Sequence, residues 1–416
     1  MPAKPQNLEE SNLLIIWPKA SASIGITLAA FIAERPRTPS ASFTFIGHPV
    51  PRSVLRETEF SLYSGTERPV RSMVHRENHI PLLSHLIDGL LTIWFLIRAH
   101  RRYDMCITAG VSHGLLGILL RSVRVVRKSS FIIMDYWPLK YRSSFLSRLY
   151  SRAHSWCSTN SDFVVDVAPT IEEARQRDGV RVAPERRIYA PHPLDPPATV
   201  TLPQEQLEAD SLVWTGALTP ECGFELVIDA IELVARERPG ITVSIATYER
   251  FSDELRAMIA EKGIEHHFRI VGYIKEEAEF NRFVQKHRIG LAPYRPGESS
   301  VKNFAGVARP WTYIANGVPP IITRVPPDAR EIEAAKAGLV IDYDKQQLAT
   351  AILELLTDDQ LHRSCCQNGL ELIRSRATTP VFTALLTKLG LPPVNRPEPA
   401  GMAEKDNDQC YLKKYI

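Results

Sequence analysis

Residues 288–322 read RIGLAPYRPGESSVKNFAGVARPWTYIANGVPPII. Ile289–Ala292 is a short apolar run of the kind buried inside a parallel sheet, and a proline ends it. A polar loop rich in Gly and Pro follows, carrying Glu298, Lys302, Asn303 and Arg309. WTYIANG then reads as a short helix, and VPPII closes the stretch as a second buried strand. Strand, loop, helix, strand is a βαβ unit, and the loop after its first strand is where such a unit holds a ligand.

The same alternation extends in both directions. Before the stretch come SLVWTG, TVSIATY and FRIVGY as strands, separated by the helical runs GFELVIDAIELVARE, FSDELRAMIAEKG and EEAEFNRFVQKH. After it come the strand AGLVIDY and a helical region to about Gly390. The N-terminal half repeats the plan with LLIIW, SFTFIG, YDMCITAG, SSFIIMDYWP, SDFVVDVAP and RRIYAPHP as strands. Between the halves, Leu194–Asp210 is polar and proline-rich and reads as a linker. The expected fold is α/β, with two Rossmann-like doubly wound domains facing across a cleft. Their bounds are 1–195 and 211–390, with a linker over 196–210 and a polar tail over 391–416. The loops after Trp17, Ile133, Trp214, Val271 and Ala292 are then expected to converge on the cleft.

A chain of 416 residues is too long for one ordinary core, which agrees with two domains. The apolar fraction of 44% and the charged fraction of 23% are those of a soluble globular protein. A net charge of +3 gives no electrostatic case for nucleic-acid binding. The 6 cysteines are scattered without a CxxC pair, which points to a reducing, cytoplasmic setting and to no zinc site. No carboxylate or histidine cluster has metal-ligand spacing, so no metal is expected. No apolar run reaches the roughly 20 residues that span a bilayer. PLLSHLIDGLLTIWFLIRAHRR, residues 81–102, ends in a basic cluster that continues to Lys128. It reads either as an interfacial helix beside anionic lipid or as a packed helix whose terminal cations suit its dipole.

GALTPECG (216–223), GYI (272–274) and TYIANGVP (312–319) resemble, in order and spacing, the donor domain of nucleotide-sugar glycosyltransferases of the two-domain GT-B fold. The resemblance runs from about Leu212 to Leu356, with weaker echoes in YDMCITAG, FIIMDYWP and PHPLD. It implies an enzyme that moves a sugar from a UDP- or GDP-linked donor, used as co-substrate, without a cofactor or catalytic metal. The family's arginine and lysine in the first turn are Ala217 and Cys222 here. Its paired glutamates would fall at Phe304 and Thr312. These departures bring the chain nearer to the inverting glucuronosyltransferase of xanthan-type polysaccharide synthesis, to which it is distantly similar. On that likeness Tyr294 and Arg309 are donor-side features and Tyr273 occupies the nucleotide-side turn. Gly216, which allows close backbone approach, Lys302 in the same loop as Arg309, Leu218 and Thr312 complete the expected donor contacts. Independently, a guanidinium supplies the planar fork that a diphosphate needs, which favours Arg309. Tyr273 either flanks the base or packs at its strand end.

In the first domain Asp135 ends the FIIM strand beside Tyr136 and Trp137. A strand-tip carboxylate shielded by aromatics can act as the base that deprotonates an acceptor hydroxyl, or it can cap the following turn. The xanthan-type likeness places the catalytic aspartate there. His113, opening a helix, is the reserve candidate. Ser23 and Gly25, in the small-residue loop after the first strand, are expected with Trp137 on the acceptor side, and Trp17 is a further aromatic at a strand tip. Together these readings describe an inverting transferase in polysaccharide, glycolipid or envelope synthesis, cytoplasmic and attached to the membrane face, with a lipid-linked or saccharide acceptor. The rival readings are a tailoring enzyme acting on a small metabolite and an inactive sugar-binding scaffold.

Overall fold

The computed structural model describes residues 7–19, 24–35, 38, 41–50, 56–64, 69–75, 81–136, 144–197, 207–247, 252–297, 300–304 and 306–393. The chain divides into two compact units. Unit 1 is Met1–His192 with Thr378–Ile416, and unit 2 is Pro193–Ala377.

Unit 1 contains β1 (Leu13–Lys19), α1 (Ile24–Ala33), β2 (Ser42–Pro49), β3 (Glu57–Ser64), β4 (Val70–His75) and α2 (Pro81–Ala99). It continues with β5 (Tyr103–Ala109), α3 (Val111–Ser122), β6 (Val126–Ile133), α4 (Ser144–Asn160), β7 (Phe163–Asp166), α5 (Pro169–Arg177) and β8 (Arg187–Tyr189). The sheet order is β4-β3-β2-β1-β5-β6-β7-β8. Leu13–Ile16 of β1 are fully buried between β2 and β5, as a central strand covered on both faces must be. The sheet is not wholly parallel, because β3 runs antiparallel to β2 and β4 antiparallel to β3. Sequence reading passed over this hairpin. β3 lies inside the sheet with residues 58–61 buried although three of these four are polar or charged, and β4 is the largely exposed edge strand.

Unit 2 contains β9 (Ser211–Thr215), α6 (Phe224–Glu237), β10 (Thr242–Ala246), α7 (Ser252–Glu261), β11 (Phe268–Ile270), α8 (Glu277–Gln285) and β12 (Ile289–Ala292). Then come α9 (Ala308–Ala315), β13 (Pro320–Thr323), α10 (Asp328–Ala335), β14 (Leu339–Ile341), α11 (Lys345–Thr357) and α12 (Asp359–Ser375). Its sheet is parallel throughout, in the order β11-β10-β9-β12-β13-β14. The strand order therefore reverses between β9 and β12. In open sheets of this kind that reversal opens a crevice outside the carboxyl ends of the strands.

The last helix, α13 (Thr378–Lys388), belongs to unit 1 although it follows unit 2 in the chain. Phe382 is fully buried with its ring 5.3 Å from Phe31 of α1, and α13 also touches β8. The expected second domain of 211–390 is thus shortened to Ala377. An amphipathic helix at the end of a chain is claimed by whichever sheet has an uncovered apolar face. Of the expected linker, 198–206 lie outside the described residues.

Candidate donor and acceptor sites

The turn after β9 is shaped by two glycines. Gly216 has φ +86°, and its N–H is held by the Ala246 carbonyl at 2.9 Å. Gly223 has φ +67°, and a Cβ there would stand 2.2 Å from the Pro293 carbonyl oxygen. The turn and the β12–α9 loop can approach this closely only because Gly223 has no side chain. Arg295 N–H donates to the Glu221 carbonyl at 3.0 Å and joins them again. The loop opened by the APY motif is thereby fixed against the start of α6.

Arg309 unites the two sides. It sits in the first turn of α9 and not in the loop, and it is 8% exposed. Nε donates to the Thr215 carbonyl at 2.8 Å and Nη2 to the Ala217 carbonyl at 3.0 Å. Its guanidinium lies 3.8 Å from the Trp214 ring centre and 5.5 Å from that of Tyr294. The remaining nitrogen, Nη1, is buried with no hydrogen-bond partner, and no carboxylate pairs with the group among the described residues. Burying a cation without a carboxylate is costly, and this charge is supported by carbonyls, ring faces and the Cys222 sulfur. Burial opposes the charge, but Tyr294, Cys222 and Tyr313 outweigh it, and the pKa lies above the ordinary arginine value. Burial would raise the Cys222 thiol; Arg309 and the Thr219 hydroxyl, 3.3 Å from its sulfur, instead hold it below the ordinary range. Sequence reading noticed Cys222 only as a missing lysine, since nothing local announces a sulfur beside a residue 87 positions away.

The other expected donor residues divide. Tyr294 is buried, its pKa pushed up by burial, and its backbone N–H donates to Thr323 Oγ1 at 2.8 Å. Lys302 Nζ lies 5.8 Å from the Tyr294 ring centre and is half-buried. Leu218 packs on the core beside the turn. Tyr273 is 61% exposed, three residues past the end of β11. Thr312 spends its hydroxyl on the Ala308 carbonyl at 3.2 Å, and Phe304 is buried. Tyr313, unremarked in the sequence, braces the floor: its hydroxyl accepts from Thr215 N–H at 3.0 Å, and its ring lies where a Cβ of Gly290 would be. Asp328 was also missed. It accepts from Val307 N–H at 2.8 Å and from Trp311 Nε1 at 2.6 Å, fixing the start of α9 from outside the turn.

In unit 1, Asp135 stands exposed just past the tip of β6. The expected aromatic shield is only half observable, because Trp137 lies outside the described residues. Tyr136 is turned away, its hydroxyl donating to Asp178 and its ring meeting His154 edge-on. His113 is not at the surface. It is 3% exposed, with Nδ1 donating to the Ala109 carbonyl at 3.0 Å and Nε2 facing Asp88 Oδ2 at 4.0 Å. His48 Nδ1 lies 3.2 Å from Asp88 Oδ1, and His85 Nδ1 lies 3.7 Å from Oδ2. The His48 and His113 rings stack at 5.3 Å. Three histidines thus surround one buried carboxylate at the carboxyl edge of the sheet, from segments about 65 residues apart at most in sequence. Gly25 is explained by packing: a Cβ would stand 2.0 Å from the Trp17 indole. Trp17 is fully buried and is therefore core, not a platform for a sugar. Ser23 lies outside the described residues, as does Glu298 of the donor loop. Among the described residues no group of three His, Cys, Asp or Glu is placed to hold a metal ion.

Residues 209–358 match the family described as glycosyl transferases group 1. No curated protein matches the chain in sequence. Solved structures match over most of its length. Sucrose-phosphate synthase from Thermosynechococcus elongatus is 15% identical with a TM-score of 0.66, covering 91% of this chain and 98% of its own. A UDP-forming α,α-trehalose-phosphate synthase from Burkholderia xenovorans is 10% identical with a TM-score of 0.67, covering 91% and 98%. HepE of Anabaena, solved in complex with UDP, is 12% identical with a TM-score of 0.63, covering 91% and 99%. At these identities the structures show the fold, two Rossmann-like domains of the GT-B kind, while the family match puts a group 1 glycosyltransferase domain in unit 2.

Proposed function

We propose that this GT-B glycosyltransferase moves a sugar, with inversion, from a nucleotide diphosphate donor held by unit 2 to an acceptor held by unit 1. The observation that carries the reading is the buried Arg309 guanidinium at the strand-order reversal, with one nitrogen unpaired and no carboxylate beside it. An arriving diphosphate would supply the missing anion, and Nη1 would become a donor to it. The N-terminal turn of α6 and the half-buried Lys302 add positive potential on the same side. The UDP bound in HepE is consistent with a nucleotide-linked donor.

In this reading the Asp135 carboxylate takes the proton of the acceptor hydroxyl as the oxygen attacks the anomeric carbon. The bond from that carbon to the diphosphate breaks, and its electron pair leaves on the diphosphate oxygen. Arg309 and Lys302 stabilise that charge, so no metal is assigned a part. The acceptor is lipid-linked or saccharide, in polysaccharide, glycolipid or envelope synthesis at the cytoplasmic membrane face. An inactive scaffold is the second reading, favoured by the buried Phe304 and the committed Thr312 hydroxyl where the resemblance expects glutamates.

Calorimetric titration with UDP- and GDP-sugars tests the reading on wild type, Arg309→Lys and Arg309→Ala. One nucleotide sugar should bind wild type, with affinity falling in both variants because Lys lacks the planar fork. Undiminished binding in the folded Arg309→Ala protein would overturn the donor site. Binding without any transfer or donor hydrolysis would favour the scaffold.

A further inference from the structure

Along most of α2 the solvent side is apolar, while the inner side carries polar groups beside the core residues Phe95 and Leu96. Leu83, Leu86, Leu90, Trp94 and Ile97 are exposed at steps of three and four, which makes one continuous stripe along the helix. Ser84, Asp88 and Thr92 of the same helix are buried instead. Asp88 is 2% exposed and Thr92 fully buried, both bonded to His48. A helix bathed in water has this distribution reversed.

The stripe is not isolated. The connections β4→β5, β5→β6 and β6→β7 all step in one direction across the sheet. Right-handed crossovers therefore put α2, α3 and α4 on the same face, where α2 neighbours α3 and α3 neighbours α4. Leu115, Leu119 and Val123 continue the exposed apolar surface along α3. Phe145, Leu149 and Trp156 do so along α4. Contiguous exposed apolar surface on this scale marks a contact with something other than water.

Charge identifies the occupant. Asp88, the one carboxylate on these three helices, is buried. Where α2 and α3 end, Arg98, Arg101, Arg102, Arg124, Arg127 and Lys128 are all exposed. Arg98 lies 4.9 Å from the Trp94 ring centre, and Arg148 and Arg152 are exposed along α4. An apolar face edged by cations and tryptophan, with its carboxylate withdrawn, matches the boundary between acyl chains and anionic headgroups.

We infer that the outer face of α2, α3 and α4 seats unit 1 on an anionic phospholipid bilayer, with the apolar stripes in the headgroup–acyl boundary and the cations among the phosphates. This deepens the membrane location in the proposed function and rests on that part of it. Lipid binding is measured without turnover, so its failure would leave the transferase reading standing.

The test is co-flotation of the full chain with vesicles of phosphatidylcholine alone or mixed with phosphatidylglycerol. Wild type should float with the mixed vesicles, less so at high salt, and weakly with phosphatidylcholine. The triple change Leu86→Glu, Leu90→Glu, Ile97→Glu should abolish flotation. Arg124→Glu with Arg127→Glu should weaken it at least about tenfold. All five positions are exposed, so an unchanged circular dichroism spectrum and melting temperature should accompany the losses. The inference is overturned if wild type floats with neither vesicle or if the triple variant floats like wild type. It is equally overturned if the triple change only converts an oligomer to a monomer, since the face would then seat a second copy.

Discussion

At the carboxyl edge of the unit 2 sheet a guanidinium, Arg309, is buried among carbonyls and aromatic rings. At the same edge of the unit 1 sheet a carboxylate, Asp88, is buried among His48, His85 and His113. Both sheets are doubly wound, so the backbone plan does not dictate what collects there. The first arrangement leaves a cation short of an anion and so invites a ligand. The second meets its carboxylate with three imidazoles of the same unit at 3.2, 3.7 and 4.0 Å, while Asp135, the proposed base, stands exposed past the tip of β6. The lesson is that burial alone does not mark a reactive group. The roles proposed for Arg309 and Asp135 rest instead on a buried nitrogen without a hydrogen-bond partner and on exposure past a strand tip.

Exchanging the two unit 1 carboxylates tests this contrast most severely. Asp135→Asn should lower turnover by roughly 10²–10⁴-fold while leaving the melting temperature and donor affinity unchanged. Asp88→Asn showing the same kinetic loss at full stability would break the comparison. Next in size, Arg309→Ala should destabilise the protein by about 2–4 kcal/mol in urea unfolding, because two charge-assisted hydrogen bonds and a cation–π contact are lost. A saturating nucleotide sugar should restore less stability to this variant than it adds to wild type. Asp88→Asn should cost about 1–3 kcal/mol, with a measurable coupling to His48→Gln in a double-mutant cycle. Additive effects would mean that the cluster is not a unit.

The smallest effect is a pH slope. His287 and His362, both in unit 2, are held below the ordinary histidine pKa chiefly by burial. Each ring donates to a carbonyl, Phe283 for His287 and Arg288 for His362, both at 2.9 Å. The unfolded chain therefore takes up protons before the folded one does. Stability from these two groups is complete above about pH 6.5 and is lost as pH falls through their lowered folded values. Chemical denaturation across that range should show the decline, and His287→Gln with His362→Gln should flatten it.

Much of the frame was readable along the chain. LVWTG, RIGLAPY and VPPII are apolar strands, and the fold followed from their alternation with helical runs. Arg309 could be singled out as a cation ahead of a helix, because a diphosphate site needs one. Its burial, its bonds to the carbonyls of Thr215 and Ala217, and the sulfur of Cys222 beside it could not be, since all three arise from contacts about 90 residues apart. The His48–Asp88–His113 cluster escaped for the same reason, because the partners of His113 lie in other segments. The edge hairpin of β3 and β4 was missed because short, half-polar strands carry little hydrophobic signal.

Periodicity thus determined two α/β units built on parallel strands, and strand ends together with the family likeness put forward Arg309 and Asp135 as candidates, because those depend on local spacing and chain direction. Tertiary structure alone decided which charges are buried, which side of α2 meets the solvent, and that α13 returns to unit 1. Those outcomes depend on which surfaces compete for the same apolar contact and which polar groups meet across the sheet. Such competition is settled only when the chain has closed on itself.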